Sequence, residues 1–211
     1  MKTELLIAAL ARGAGPAPRA LLLKRLGPAL AVGAVLAVAG ALSEFPMVGR
    51  EVMADTGWLI KIGYTLALAA LAAACIERLA KPGAGTRLRT WGLVLPFGLI
   101  AVLALLEWRE LSAHERVATW LGSSWDHCPY WVFMLSLPSL ALGLWALRGM
   151  APTQPVRSGF VLGLLAGGIG ASGYALICPE VSMTFIASWY TLGIVAVAAL
   201  GAILGPRVLR W

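Results

Sequence analysis

The chain has 211 residues, of which 60% are hydrophobic and 13% charged, with a formal net charge of +7. Soluble domains carry about 45–50% apolar and about 25% charged residues, so the composition excludes a disordered chain and argues against an ordinary soluble enzyme. The net charge would point to nucleic acid in a soluble protein, but in a membrane protein it reflects cytoplasmic loops.

Residues 1–25 read as a cytoplasmic tail with a flexible joint at Gly13–Ala17. Its apolar stretch Leu5–Ala11 is short and follows Glu4, and the first long hydrophobic run starts only after Arg25, so no cleaved signal peptide is expected. Thr3 can cap a helix whose first turn carries Glu4, a placement that suits the positive end of the helix dipole. About nine residues are too few for a stable free helix. Two readings stay open: a segment lying on lipid, or a docking peptide that folds into the groove of a soluble partner.

Six apolar runs follow, near the length a helix needs to cross a hydrocarbon core of about 30 Å. They are Leu26–Leu42, Trp58–Ile76, Trp91–Leu106, Tyr130–Leu147, Gly159–Ile177 and Thr184–Leu204. The fifth carries a small-residue ridge, Gly159–Gly163–Gly167, of the kind that lets membrane helices pack closely. With the N-terminus inside, 13 Lys and Arg fall on the inner side and 4 on the outer, while the acids run the other way. This bias predicts an all-α, polytopic protein with six transmembrane helices and both termini cytoplasmic. The tail would be 1–25, the membrane domain 26–205 and a short C-terminal tail 206–211.

The segment Trp108–His127, rich in Glu, Arg and Trp, is expected to form a short helix on the outer surface. The tryptophans read as an aromatic belt at the interfaces. Walker spacing, a His-x-x-x-His pair and a Gly-x-Ser-x-Gly elbow are all missing from the sequence. No enzymatic activity, cofactor or direct nucleic-acid contact is therefore expected. Lys61 reads as lying near an interface and Glu107 as the end of the third span.

Cys75 reads as a packing residue. Cys128 and Cys178 fall at similar depth on the outer face, each followed by proline. Three readings stay open: a fixed disulfide, a redox or metal switch with Asp126, His127 and Glu180 as extra ligands, or unpaired packing.

Several short motifs resemble one family in order along the whole chain. They include the opening Met1-Lys2-Thr3-Glu4-Leu5-Leu6-Ile7, Lys81-Pro82-Gly83, Gly122-Ser123-Ser124-Trp125 with Cys128, and Ala151-Pro152-Thr153. Tyr174-Ala175-Leu176 with Cys178-Pro179-Glu180, Trp189-Tyr190-Thr191-Leu192-Gly193-Ile194 and the ending Leu204-Gly205-Pro206-Arg207 complete the set. These resemble the NrsF family of bacterial membrane anti-sigma factors. The resemblance implies a multi-pass protein of the inner membrane that holds an extracytoplasmic-function sigma factor inactive. It places sigma binding on Lys2, Thr3, Glu4, Leu6 and Ile7, and a response to metal or oxidative stress on Cys128 and Cys178. One departure is Leu5 after Glu4, where a second polar residue is expected. Membrane lipids and a second copy of the chain are further expected partners. The competing readings are a permease for a small solute, disfavoured by the scarcity of charge within the spans, and a membrane thiol oxidoreductase, disfavoured by the lack of a second cysteine couple.

Overall fold

A computed structural model describes residues 3–4, 21–79, 91–150 and 152–210. The described residues form helices and connecting turns. In chain order they are α1 (Leu21–Glu44), α2 (Arg50–Met53), α3 (Thr56–Leu79), α4 (Val94–Glu110), α5 (Ala113–Leu121), α6 (Cys128–Arg148), α7 (Pro155–Ala175), α8 (Met183–Phe185) and α9 (Thr191–Val208). A π-helical turn, Ile186–Tyr190, joins α8 to α9.

Five of these stretches are long and apolar enough to cross a membrane: α1 from Lys24, α3, α6, α7 and the continuous Met183–Val208. The third expected span is the 17-residue helix α4. At 1.5 Å per residue it reaches about 25 Å, shorter than a typical hydrocarbon core of about 30 Å. The third run is thus the weakest of the six expected spans.

Helix α7 is the axis of the bundle: 83% of its most apolar stretch is buried, against 22% for α1. Glycine makes that possible. A Cβ on Gly159 would lie 2.1 Å from the Gly201 carbonyl oxygen, and one on Gly163 would lie 2.5 Å from Ala198 Cα. The small-residue ridge read from the sequence therefore seats α7 on α9 at backbone contact. On its other sides α7 meets α3, where a Cβ on Gly168 would lie 2.8 Å from the Thr65 carbonyl oxygen, and α6 at Ser136. Helix α1 packs on α6, with Gly33 against Ser139.

Helix α4 sits at the periphery and buries only Pro96 and Ile100 within its span. Leu95, Leu99, Val102 and Leu105 are exposed, a face suited to lipid and costly in water.

The expected surface segment contains α5. Glu115, three residues after the N-cap Ser112, accepts from the Ser112 backbone N–H (3.1 Å) and hydroxyl (2.6 Å). This capping-box contact fixes the start of the helix. The same bonds hold the Glu115 carboxyl below its ordinary range.

Candidate functional site

The ends of six helical segments gather the chemistry-bearing side chains at one end of the bundle. Cys128 opens α6, where Pro129 suits the first helical turn. Cys178 lies just past α7, its N–H donating to the Tyr174 carbonyl at 3.0 Å, and Pro179 ends the helical path. Both cysteines are buried, at 0% and 1% exposure, and neither is in a disulfide.

Lys61, on the first turns of α3, enters the same place and is 0% exposed. Its ammonium donates to the Cys178 carbonyl at 2.8 Å and the Glu180 carbonyl at 2.7 Å. It also stands 5.4 Å from the centroid of the Tyr190 ring, within cation–π range. Two of its three donors thus meet carbonyls and the ammonium faces a π surface, which offsets the cost of burying the charge. Cys128, Cys178 and Glu180 all lie within electrostatic reach of this cation.

The rest of the cluster is held by turns from both sides. The Glu180 carboxylate accepts from the Ser123 N–H (2.7 Å) and hydroxyl (2.6 Å). Gly122, with φ +58°, lets the loop approach: a Cβ there would lie 2.7 Å from Glu180 Oε2. The π-helical turn sets the register of Tyr190, which is 0% exposed, and such turns recur at functional sites. Tyr174 and Tyr190 stack with ring centroids 5.8 Å apart. Both rings border Cys178.

Sequence reading missed two side chains. Lys61 is a buried clamp on the Cys178–Glu180 loop, a role its place near the start of an apolar run does not reveal. Glu107 caps the start of the last long helix, accepting from the Thr184 N–H (2.7 Å), the Thr184 hydroxyl (2.6 Å) and the Ser182 hydroxyl (2.9 Å). The sequence marks both as ionisable groups at the margins of apolar runs, but it does not show what either side chain meets.

The proposed extra metal ligands do not assemble with the thiols. The Asp126 and His127 side chains are 50% and 62% exposed and pair with each other. That hydrogen bond holds the Asp126 carboxyl below its ordinary range. Glu180 spends its carboxylate on Ser123. Among the described residues no group of three or more His, Cys, Asp and Glu side chains is placed to hold a metal ion. Adjacency in sequence failed here because α6 begins at Cys128 and turns that side chain inward, while the two preceding side chains stay at the surface.

The tryptophans do more than line an interface. Trp189 Nε1 donates to the Trp120 carbonyl at 2.8 Å, and its ring lies 5.4 Å from that of Trp120 and 5.6 Å from that of Trp125. These contacts fasten α5 to the helical turn before α9.

Of the expected sigma-binding residues, Thr3 and Glu4 are helical and exposed, whereas Lys2, Leu6 and Ile7 lie outside the described residues. Cys75 is buried on α3, as expected of a packing residue.

The NrsF family, described as "Negative regulator of sigma F", matches residues 10–211. The chain is 42% identical to the anti-sigma-F factor NrsF of Caulobacter vibrioides (strain NA1000 / CB15N), with the whole of both chains covered. It is 37% identical to the probable anti-sigma-F factor NrsF of Azospira oryzae (strain ATCC BAA-33 / DSM 13638 / PS), again over the whole of both chains. No solved structure matches the chain. The family's role is regulatory and not enzymatic. With a family match from residue 10 to the last residue and two full-length relatives, the chain belongs to the NrsF family of negative regulators of sigma F.

Proposed function

We propose that this protein is a six-span anti-sigma factor of the bacterial inner membrane, with both termini cytoplasmic. Its N-terminal segment, centred on Lys2, Thr3, Glu4, Leu6 and Ile7, sequesters a sigma factor of the extracytoplasmic-function class. The observation that carries the reading is the full-length relationship to two proteins named as anti-sigma-F factors. The charge asymmetry supports the orientation, because Lys and Arg crowd the ends that would face the cytoplasm.

Release is governed by the cysteine cluster at the periplasmic end. Burial of both thiols beside Lys61 supports an oxidative signal over a metal, since the ammonium repels a cation at the same place. Oxidation would join Cys128 and Cys178 as a disulfide, with two electrons and two protons passing to an extracytoplasmic oxidant. The bond would pull on the start of α6 and the end of α7. Its effect on the tail depends on how differently the two packings bind sigma.

Co-purification from detergent-solubilised membranes tests the docking claim. The full-length protein should retain a sigma factor, and a deletion of residues 2–15 should lose it while accumulating normally. Equal recovery from both would remove the tail from the interface, and failure of the full-length protein to retain any sigma factor would overturn the reading.

A further inference from the structure

At the end of the bundle opposite the cysteines, α1 and α6 part around a groove of about 810 Å³. Lys24, Arg25 and Arg148 line it together. All three are exposed, and among the described residues no carboxylate pairs with any of them. Deeper along the same two helices the walls are apolar: Ala29 and Val32 on α1, Leu142 and Trp145 on α6. Val32 and Trp145 are 53% and 74% exposed.

Helix geometry gives the groove a vertical order. At 1.5 Å per residue, Val32 lies about 12 Å beyond Lys24 and Leu142 about 9 Å beyond Arg148. Cations thus stand at the ends of two membrane-length helices, with an apolar trough running from them toward the middle of the bundle.

We infer that this groove binds one anionic phospholipid of the surrounding leaflet. Its phosphate sits among Lys24, Arg25 and Arg148, and the upper part of an acyl chain lies along Val32, Leu142 and Trp145. Charge complementarity selects the headgroup, since basic pockets between spans attract anionic lipid. The trough selects a lipid over an acidic protein segment. A peptide following it would carry unpaired backbone N–H and C=O groups into hydrocarbon, whereas an acyl chain has none to satisfy. The inference does not depend on which sigma factor binds or on whether the tail binds it.

Native mass spectrometry of the delipidated full-length protein, titrated with dioleoyl phosphatidylglycerol or dioleoyl phosphatidylcholine, tests this. The wild type should prefer phosphatidylglycerol. Each cation removed should weaken its binding about fivefold, and K24Q/R25Q/R148Q on the order of a hundredfold. The matched variant R78Q/R157Q/R207Q removes the same charge outside the groove and should bind as the wild type does. The charge-conserving pair Lys24→Arg and Arg148→Lys should keep the preference, which separates lost binding from lost folding. Equal losses in both triple variants would reduce the effect to diffuse surface charge and overturn the site. So would a wild type that does not discriminate the two lipids. If K24Q/R25Q/R148Q lost the sigma factor but kept the lipid, the occupant would be protein and the inference would fail.

Discussion

The two ends of the bundle are held in different ways. At the cysteine end, side chains clamp backbone across long sequence distances: Lys61 on Cys178 and Glu180, Glu107 on Thr184, Glu180 on Ser123, and Trp58 on Ala175 at 2.9 Å. At the opposite end, among the described residues, Arg207 and Arg157 bond within their own helix or its cap, at Ile203 and Gln154. Lys24, Arg25 and Arg148 make no such bond among the described residues. There the bundle closes by glycine contact between α7 and α9, with an open groove between α1 and α6. On the function proposed above, the cysteine cluster would be the input and the opposite end the side from which a partner is released. A polar network has discrete arrangements that a covalent change can switch, while a face without such ties can shift at small cost.

The largest loss is expected at Lys61. Lys61→Met leaves the Cys178 and Glu180 carbonyls buried without their donor. It should destabilise the protein by about 3 kcal/mol, read by thermal unfolding in detergent; a change under about 0.5 kcal/mol would mean the clamp is dispensable. Next comes Gly159→Ala, which sets a methyl group 2.1 Å from the Gly201 carbonyl oxygen. Backbone must move to admit it, at about 1–3 kcal/mol, and the same unfolding measurement should show it. Glu107→Gln is smaller. It weakens the cap on Thr184 and should cost about 1 kcal/mol, visible as earlier loss of helical signal on heating. An unchanged transition would leave the Glu107 bonds without energetic weight.

Much of this was legible in the sequence, for reasons that particular residues make clear. Five of the six expected spans correspond to membrane-length helices because apolar length is a local property. The Gly159–Gly163–Gly167 ridge was readable as a close-packing face, and it meets Gly201 and Ala198. The third run, Trp91–Leu106, is already short in the sequence, and the helix it forms has 17 residues and is shifted toward Glu110. The burial of Lys61 was not legible, because its acceptors lie 117 and 119 residues away. A lone lysine near the start of an apolar run looks the same whether it reaches water or a buried loop. The separation of the extra ligands from the thiols was hidden for the opposite reason. Asp126, His127 and Cys128 are neighbours in the chain, but the start of α6 sends them to different sides.

The coupling between the two ends is tested most directly by sigma-dependent transcription. A reporter should be followed before and after a thiol oxidant reaches the periplasm, in cells carrying the wild type, Cys128→Ser or Cys178→Ser at matched protein levels. Strong induction is expected in the wild type and little or none in either variant, with the sigma factor still bound. Induction in both variants equal to that of the wild type would contradict it.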